Sequence, residues 1–288
     1  MDPLSLFFQL LAQAFLLALI YTLMSIGLNL VYGVMKIVNW AHGPVVMIGA
    51  YISYWLFTLY GINPYMGCLI AFLMCSLIGY AIHDLLLHPI SRSPQFGASA
   101  LLLTYGIGIF IVNVARVLWT DILRGVNLDQ PPIKIGSISI SAPYFYGGLI
   151  AVFATWLLYY YIDRTMLGKA TRAVSDDKET SELLGIGTKA ISRITVCVGM
   201  GLAGVTGGAL STIFAVTPEL GNVLALKATT IVVVGGLGSF SGAFLGSVIL
   251  AFAEVFGTYV SSPLYQPLFY LITLFVILIV KPKGLTGG

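Results

Sequence analysis

Long apolar runs separated by short polar breaks fill most of the chain. The runs cover residues 7–31, 65–87, 97–119, 143–162, 194–217 and 266–280. A helix needs about 20 apolar residues to cross a bilayer core of about 30 Å, and most of these runs reach that length. Because lipid offers no hydrogen-bond partners, the backbone of such a run has to satisfy itself within a helix. The pattern predicts an all-α polytopic membrane protein of one domain, residues 1–288, with about eight transmembrane or re-entrant helices.

Residues 36–51 break the apolar pattern inside what should be bilayer. Asn39 and His42 are polar, and Gly43-Pro44 follows them. Proline removes a backbone donor and disfavours helical geometry at the residue before it, so this pair is expected to break the helix. Backbone freed at membrane depth is tolerated only where protein or a water-filled cavity covers it. The sequence predicts a broken helix here, and a loop at the membrane surface is the alternative.

A second interruption lies at residues 232–247, where glycine and serine are frequent. Gly235 and Gly236 open the string GGLGSFSGAFLG. This string lacks the Gly-Lys-Ser or Gly-Lys-Thr of a phosphate-binding loop, so it predicts a second broken helix rather than a nucleotide site. Two such segments, one in each half of a membrane protein, indicate a transport site.

The distribution of charge defines the two sides of the membrane. Hydrophobic residues make up 58% of the chain and charged residues 9%, whereas soluble proteins have about 25% charged residues. Eleven of the 25 charged residues lie in Asp163–Arg193, which we call the polar loop, and six of them are among the 14 lysines and arginines. Such an excess of positive charge is typical of cytoplasmic loops. Residues 120–142 are predicted to be an external loop that ends in a small β-hairpin. The net charge of +3 gives no indication of nucleic-acid binding.

A short helix is predicted inside the polar loop, near residues 176–184. Ser175 is a suitable N-cap, and Asp176 and Asp177 would then lie in the first turn, where acidic residues favour the helix dipole. Gly185 supplies a residue that can end the helix in the left-handed conformation. A helix this short is marginal by itself, so we expect it to dock onto another surface. A solvated connector is the alternative.

Few side chains in the sequence indicate a metal site, a catalytic site or a solute pathway. Cys68, Cys75 and Cys197 lie in apolar runs without metal-ligand spacing, so we expect packing roles and no metal site. Lys227 and Glu254 are charged residues in apolar surroundings. Glu254 is a candidate for a solute pathway, and a structural Lys–Glu pair is the alternative. No paired carboxylates or Cys–His arrangement indicates a catalytic residue.

Several stretches have a recognisable order and spacing. The first is YGVMKIVNWAHGPVVMIGAY, residues 32–51, and the second is GKATRAVSDDKETSELLGI, residues 168–186. LAGVTGGAL, VVGGLGSFSGAFLGSVIL and VKPKGLTG follow. Together they resemble the signature, the cytoplasmic coupling segment and the C-terminal half of branched-chain amino-acid ABC-importer permeases of the LivH type.

The resemblance implies a membrane-spanning permease subunit in a prokaryotic inner membrane, in contact with lipid. Its implied partners are two cytoplasmic ATPase subunits, a second permease subunit and an extracytoplasmic solute-binding protein. The chain itself would bind no cofactor, since the partner subunits use the ATP. The implied coupling residues are Lys169, Arg172, Ala173, Asp176, Asp177, Glu182, Leu184 and Gly185. The predicted translocation pathway contains Asn39, His42, Gly43, Gly235, Gly236 and Glu254.

Four questions stay open at the level of the sequence. An ion-coupled carrier or a passive channel for a small polar solute is the alternative function. The solute itself and the choice between a homodimer and a heterodimer are undetermined. The side on which the N-terminus lies depends on whether residues 34–60 fully cross the membrane.

Overall fold

The computed structural model describes residues 3–91, 93–136, 138–282 and 284–286. In these ranges the α-helices are α1 Pro3–Met35, α2 His42–Tyr60, α3 Pro64–Ala81, α4 His88–Ile90, α5 Phe96–Trp119, α6 Ala142–Arg164, α7 Met166–Asp176, α8 Lys178–Leu183, α9 Thr188–Leu210, α10 Leu220–Gly235, α11 Phe240–Val260 and α12 Gln266–Val280. A π-helix, Ile82–Leu87, joins α3 to α4, and a 3-10 turn, Pro263–Tyr265, precedes α12.

The helices confirm the predicted polytopic membrane fold. Seven spans in the described ranges are long and apolar enough to cross a membrane, and α10 and α12 are shorter apolar helices. The polar interruptions are also confirmed, because non-helical segments separate α1 from α2 and α10 from α11. The protein is therefore a multi-pass membrane protein.

Helix α1 forms the centre of the bundle. Its 33 residues pack against α6, α9 and α11, and residues on all its faces, including Ile20, Tyr21 and Ile26, are buried. A helix that is apolar all round is stable only when neighbours or lipid cover every side. Its uniform apolar composition is compatible with this central position, where other helices cover it on every side.

Helix α9 packs closely through its glycines, which recur every three to four residues along the sequence. A Cβ on Gly204 would meet a Cys75 Cβ at 2.9 Å, and one on Gly208 would meet the Cys68 Sγ at 2.7 Å. A Cβ on Gly207 would overlap the backbone of Val46 in α2. Small residues let helix backbones approach closely within a membrane. The glycines thus bring α2 and α3 onto the same helix.

The polar loop differs from its prediction in detail. It contains two helices, α7 and α8. The short helix predicted near 176–184 is present as α8, but Asp176 ends α7 instead, and the expectation that Ser175 is the N-cap is wrong. Asp177 caps α8 by accepting a hydrogen bond from the Thr180 amide at 3.0 Å, whereas the Ser175 hydroxyl donates to the Gly33 carbonyl at 3.0 Å. Both side chains are suitable caps, and the contact with α1 decides which of them acts. The left-handed Gly185, with φ of +79°, is confirmed.

The first interruption also lies earlier than expected. Residues 36–41 are non-helical, and Gly43 and Pro44 lie in the first turn of α2, so the expectation that they break a helix is wrong. A proline is compatible with the first turn of a helix, because the amide that it lacks has no intrahelical partner there. Lys36, with φ of +54°, turns the chain out of α1.

Contacts between helix ends determine which side each segment occupies. The bond from Ser175 to Gly33 places the polar loop at the C-terminal end of α1. Because a helix of this length spans about 50 Å, the N-terminus lies on the opposite side. Asp84 binds Arg193, the last residue of the polar loop, so the end of α3 returns to that side and residues 36–60 lead back across.

A small hairpin lies in the segment 120–142, as predicted. Strands β1, Ile133–Ile135, and β2, Ile138–Ile140, pair antiparallel, with Ile133 opposite Ile140. Arg124 forms a separate antiparallel bridge with Val216, which ties this segment to the connection between α9 and α10. The segment is therefore attached to the bundle.

Candidate transport and coupling sites

The segment between α1 and α2 carries two buried polar side chains. Asn39 and His42 are each 1% exposed. The Nε2 atom of His42 is 2.9 Å from the Met24 carbonyl oxygen, which accepts a hydrogen bond and therefore places the ring proton on Nε2. The side-chain oxygen of Asn39 accepts a hydrogen bond from the Ala41 amide at 3.1 Å. These bonds hold both side chains in place inside the membrane-spanning part of the protein.

One polar atom on each of these side chains lacks a partner. Among the described residues, Asn39 Nδ2 and His42 Nδ1 are buried without a hydrogen bond. With the proton on Nε2, His42 Nδ1 is an acceptor, whereas Asn39 Nδ2 is a donor. Leaving such a group unsatisfied costs about 1–3 kcal/mol, so each requires an explanation. A polar solute that passes this point could bind both atoms.

The glycines predicted for the pathway lie where backbones touch. A Cβ on Gly43 would overlap the backbone of α10 at Gly221, in its first turn, and at Ala225, and a Cβ on Gly235 would overlap the Gly242 carbonyl of α11. Gly236 adopts φ of +111°, which favours glycine. Gly235 follows Ala225 by ten positions in the same helix, a distance of about 15 Å. The structure thus places Gly43 near Asn39 and His42, but Gly235 and Gly236 lie apart from them.

Glu254 lies in a separate buried cluster. Its carboxylate Oε1 is 3.0 Å from the ammonium of Lys227, and both side chains are 3% exposed. The Tyr21 hydroxyl lies 3.0 Å from both carboxylate oxygens and 2.9 Å from Lys227 Nζ, and Gln266 donates to Oε1 as well. Lys227 and Glu254 therefore form a buried ion pair, the contact on which the structural alternative for these residues rests.

A cavity reaches this cluster from one side. It has a volume of about 380 Å³ and is lined by Glu254, Gln13, Tyr144, Thr258 and Gln266, together with apolar residues. Lys227 lies in α10 and contacts the Glu254 carboxylate, but it does not line the cavity. The carboxylate is thus the charged group of this pair that borders the cavity, and the prediction that it lies on a solute pathway stays a prediction.

The predicted coupling residues form an exposed surface on α7, α8 and the turn after them. Arg172 pairs with Asp163 at the end of α6. Leu183 and Leu184 lie outside the apolar runs that cross the membrane, and they are 89% and 76% exposed. Exposed leucines beside charged residues on a water-facing loop are typical of a protein-binding surface. The residues predicted from the coupling segment are Lys169, Arg172, Ala173, Asp176, Asp177, Glu182, Leu184 and Gly185, and all of them lie on this loop.

Asp177 has the electrostatics expected of a helix cap. Hydrogen bonds from the Thr180 hydroxyl and amide lower the pKa of its carboxyl, because both favour the charged form. The ionised side chain then stabilises the first turn of α8 at neutral pH.

A comparison with protein families identifies the kind of protein in which these features occur. The family described as "Branched-chain amino acid transport system / permease component" matches residues 10–280. The chain belongs to this family. It is a transport subunit and not an enzyme, since the permease component is the membrane part of such a system.

Similar proteins cover nearly the whole of this permease. The high-affinity branched-chain amino acid transport system permease protein LivH of Escherichia coli strain K12 is 30% identical over 286 residues, which cover 93% of this chain and 91% of LivH. The corresponding protein BraD of Pseudomonas aeruginosa is 30% identical over 282 residues, with 93% and 91% covered. The solved structure of PsaBC from Streptococcus pneumoniae in complex with Fab is similar with a TM-score of 0.50 and 11% identity, covering 95% of this chain and 92% of that chain. At that identity the likeness shows the fold alone.

One polar cluster of this permease escaped the sequence analysis. The π-helix positions His83, whose Nδ1 is 2.7 Å from an Asp84 oxygen, and the other Asp84 oxygen is 3.3 Å from Arg193. The dipeptide His83-Asp84 inside an apolar run was the signal for this cluster, because charged groups in such runs are rare and usually paired.

Proposed function

We propose that this chain is the membrane-spanning permease subunit of an ATP-driven importer in a prokaryotic inner membrane. The solute is a small polar molecule, and branched-chain amino acids fit best. The family match over residues 10–280 carries the proposal, and LivH and BraD, which are described as branched-chain amino acid permeases, support the choice of solute.

The proposed solute pathway passes Asn39 and His42. Their unpartnered atoms offer one donor and one acceptor to a polar solute, and the close contact of Gly43 with the start of α10 brings two helix ends to this point. Helix ends have unsatisfied backbone groups and partial charges, which suit the charged ends of an amino acid.

Energy enters through partner subunits in this proposal. The chain binds no cofactor itself, and two ATPase subunits dock on the cytoplasmic polar loop, where Leu183 and Leu184 are exposed. A second permease subunit completes the membrane part, and an external solute-binding protein delivers the solute. Movement of α7 and α8 can reach the spans, because Ser175 binds the end of α1.

The decisive experiment is uptake into sealed vesicles that contain this permease, its membrane partner and the ATPases, with the binding protein outside. An ionophore collapses the ion gradients. We expect leucine uptake to survive the ionophore and to stop without ATP inside. Uptake that stops with the ionophore and ignores ATP would instead support an ion-coupled carrier. A panel of amino acids, amides and urea in the same vesicles tests the solute.

A further inference from the structure

We propose that a cavity under α8 is a second amino-acid site, through which the imported solute acts on the coupling helix. The cavity has a volume of about 480 Å³ and lies between α8, the start of α9 and the chain that joins the π-helix to α5. Sites for small molecules commonly have volumes of 300–1,000 Å³. The inference rests on the proposed function for the identity of the ligand, but on the cavity itself for the existence of the site.

The cavity offers a partner to each part of an apolar amino acid. Lys178 and Lys189 are cationic and suit a carboxylate, and Glu182 suits an ammonium group. Met35 and Phe96 provide apolar surface for an aliphatic side chain. Among the described residues that line the cavity, Glu182 is the single acid. A ligand with one carboxylate, one ammonium and one apolar group matches this arrangement better than a simple anion or cation.

Two of the lining groups are held in position by other residues. The Thr188 hydroxyl donates to Glu182 Oε1 at 2.6 Å, so the second carboxylate oxygen is the one available to a ligand. His83 is 2% exposed, and its Nδ1 is bound to Asp84, so the ring can meet a ligand through Nε2. A buried imidazole with one nitrogen fixed in this way is pre-oriented for binding.

The π-helix contributes to the shape of this site. It covers Ile82–Leu87 at the end of a long membrane span, and such single π-helical turns occur frequently at functional sites. It places His83 on the cavity, and His88 follows directly after it. The π-helix and the residue after it thus supply two imidazoles to the lining of the cavity.

Binding in the cavity would act on coupling because α8 forms one wall. Helix α8 has six residues, too few for stability by itself. Lys178 and Glu182 belong to α8, whereas Lys189 lies in the first turn of α9 and His83 in the π-helix. A ligand that bridges them would hold α8 against the bundle. The solute that accumulates on this side would thereby restrain the element on which the ATPase docks.

Calorimetric titration of the full-length chain in lipid nanodiscs tests the site without any ATPase. Leucine is the probe, and 4-methylpentanoate and 3-methylbutylamine are its analogues without the ammonium and without the carboxylate. We expect leucine to bind, and each analogue to bind at least about tenfold more weakly, the factor that corresponds to about 1.4 kcal/mol. Lys178→Met and Glu182→Gln should each weaken leucine binding by a similar factor. Glu179→Gln, an exposed change on the same helix, is the matched control and should bind normally.

Three results would overturn the inference. They are no leucine binding by the intact chain, binding that Lys178→Met and Glu182→Gln leave unchanged, and equally tight binding of 4-methylpentanoate. Glu182→Gln keeps an acceptor for Thr188, so a loss of binding cannot be attributed to a displaced α8. Failure of the proposed function is distinguishable, because vesicles would then not take up leucine even though this chain binds it at α8.

Discussion

Breaking the buried pair Lys227–Glu254 should strongly destabilise the protein. The charged atoms are 3.0 Å apart, and each side chain is 3% exposed. The variant Glu254→Gln keeps the size of the side chain but removes its charge. It leaves the Lys227 ammonium in the bundle with only neutral partners, among them Tyr21.

The magnitude follows from the distance and the burial. Two unit charges 3.0 Å apart attract by roughly 5 kcal/mol at an effective dielectric constant of about 20. Removal of one partner of a buried pair typically costs about 3–5 kcal/mol, whereas replacement of both by apolar residues of similar size is often neutral. We therefore expect Glu254→Gln to lower the free energy of unfolding by about 3–5 kcal/mol. The double variant Lys227→Met/Glu254→Leu should lower it much less.

The free energy of unfolding would be measured by denaturant titration in mixed micelles for the single variants and the double variant. Glu219→Gln is the matched control, because Glu219 pairs with Arg116 at 3.2 Å but is 58% exposed. Exposed pairs contribute about 0–1 kcal/mol, so this identical chemical change should have a small effect.

The reasoning would be refuted if Glu254→Gln lowered the free energy of unfolding as little as Glu219→Gln does. A double variant whose destabilisation equals the sum of the two single variants would also refute it, because a compensated pair cannot be additive. Vesicle uptake by the double variant separates the two interpretations of Glu254. A stable protein that still transports leucine shows a structural pair, and a stable protein without uptake places Glu254 on the pathway.

Three further predictions concern coupling, the pathway and the α8 cap. Arg172→Glu and Gly185→Pro should insert normally and lose most ATP-dependent uptake. Arg172→Glu reverses a charge on the predicted docking surface, and Gly185→Pro disrupts the turn after α8, because proline cannot adopt φ of +79°. Normal uptake by both variants would contradict the docking role. Cysteines at Asn39 and His42 should react with small water-soluble thiol reagents at rates that solute or ATP changes, and inertness in every state would argue against the pathway. Because hydrogen bonds lower the pKa of Asp177, its contribution is full above the unfolded-state pKa and is lost as the pH falls through the folded-state value. Hydrogen-exchange protection of α8 should therefore fall in acid for the wild type but not for Asp177→Asn, and identical pH profiles would contradict the cap.

Apolar run length and glycine spacing determined the membrane fold from the sequence. The run 266–280 coincides with α12, and the glycines of α9 lie at its contacts with α2 and α3. These features are local or periodic, because a bilayer requires a minimum helix length and small residues permit close packing wherever they recur. The order of several motifs also indicated the family.

Tertiary structure decided the roles of individual polar residues. Ser175 and Asp177 are both good caps, and the nearby Gly33 carbonyl binds Ser175 and leaves the cap to Asp177. Lys227 and Glu254 are 27 positions apart, and their pairing depends on how α10 and α11 lie against Tyr21. The capping propensity or charge of a residue indicates which contacts its side chain can make, but long-range packing determines the residue with which it makes them.

The cavity under α8 illustrates the same division. Its lining comes from Met35, His83, Phe96, Lys178 and residues of α9, which are far apart along the chain. The charge of the polar loop was evident from the sequence, and so was its position in water, because charge is costly inside a bilayer. Only the folded chain brings that charge to the π-helix, since no local rule relates residues separated by more than one span.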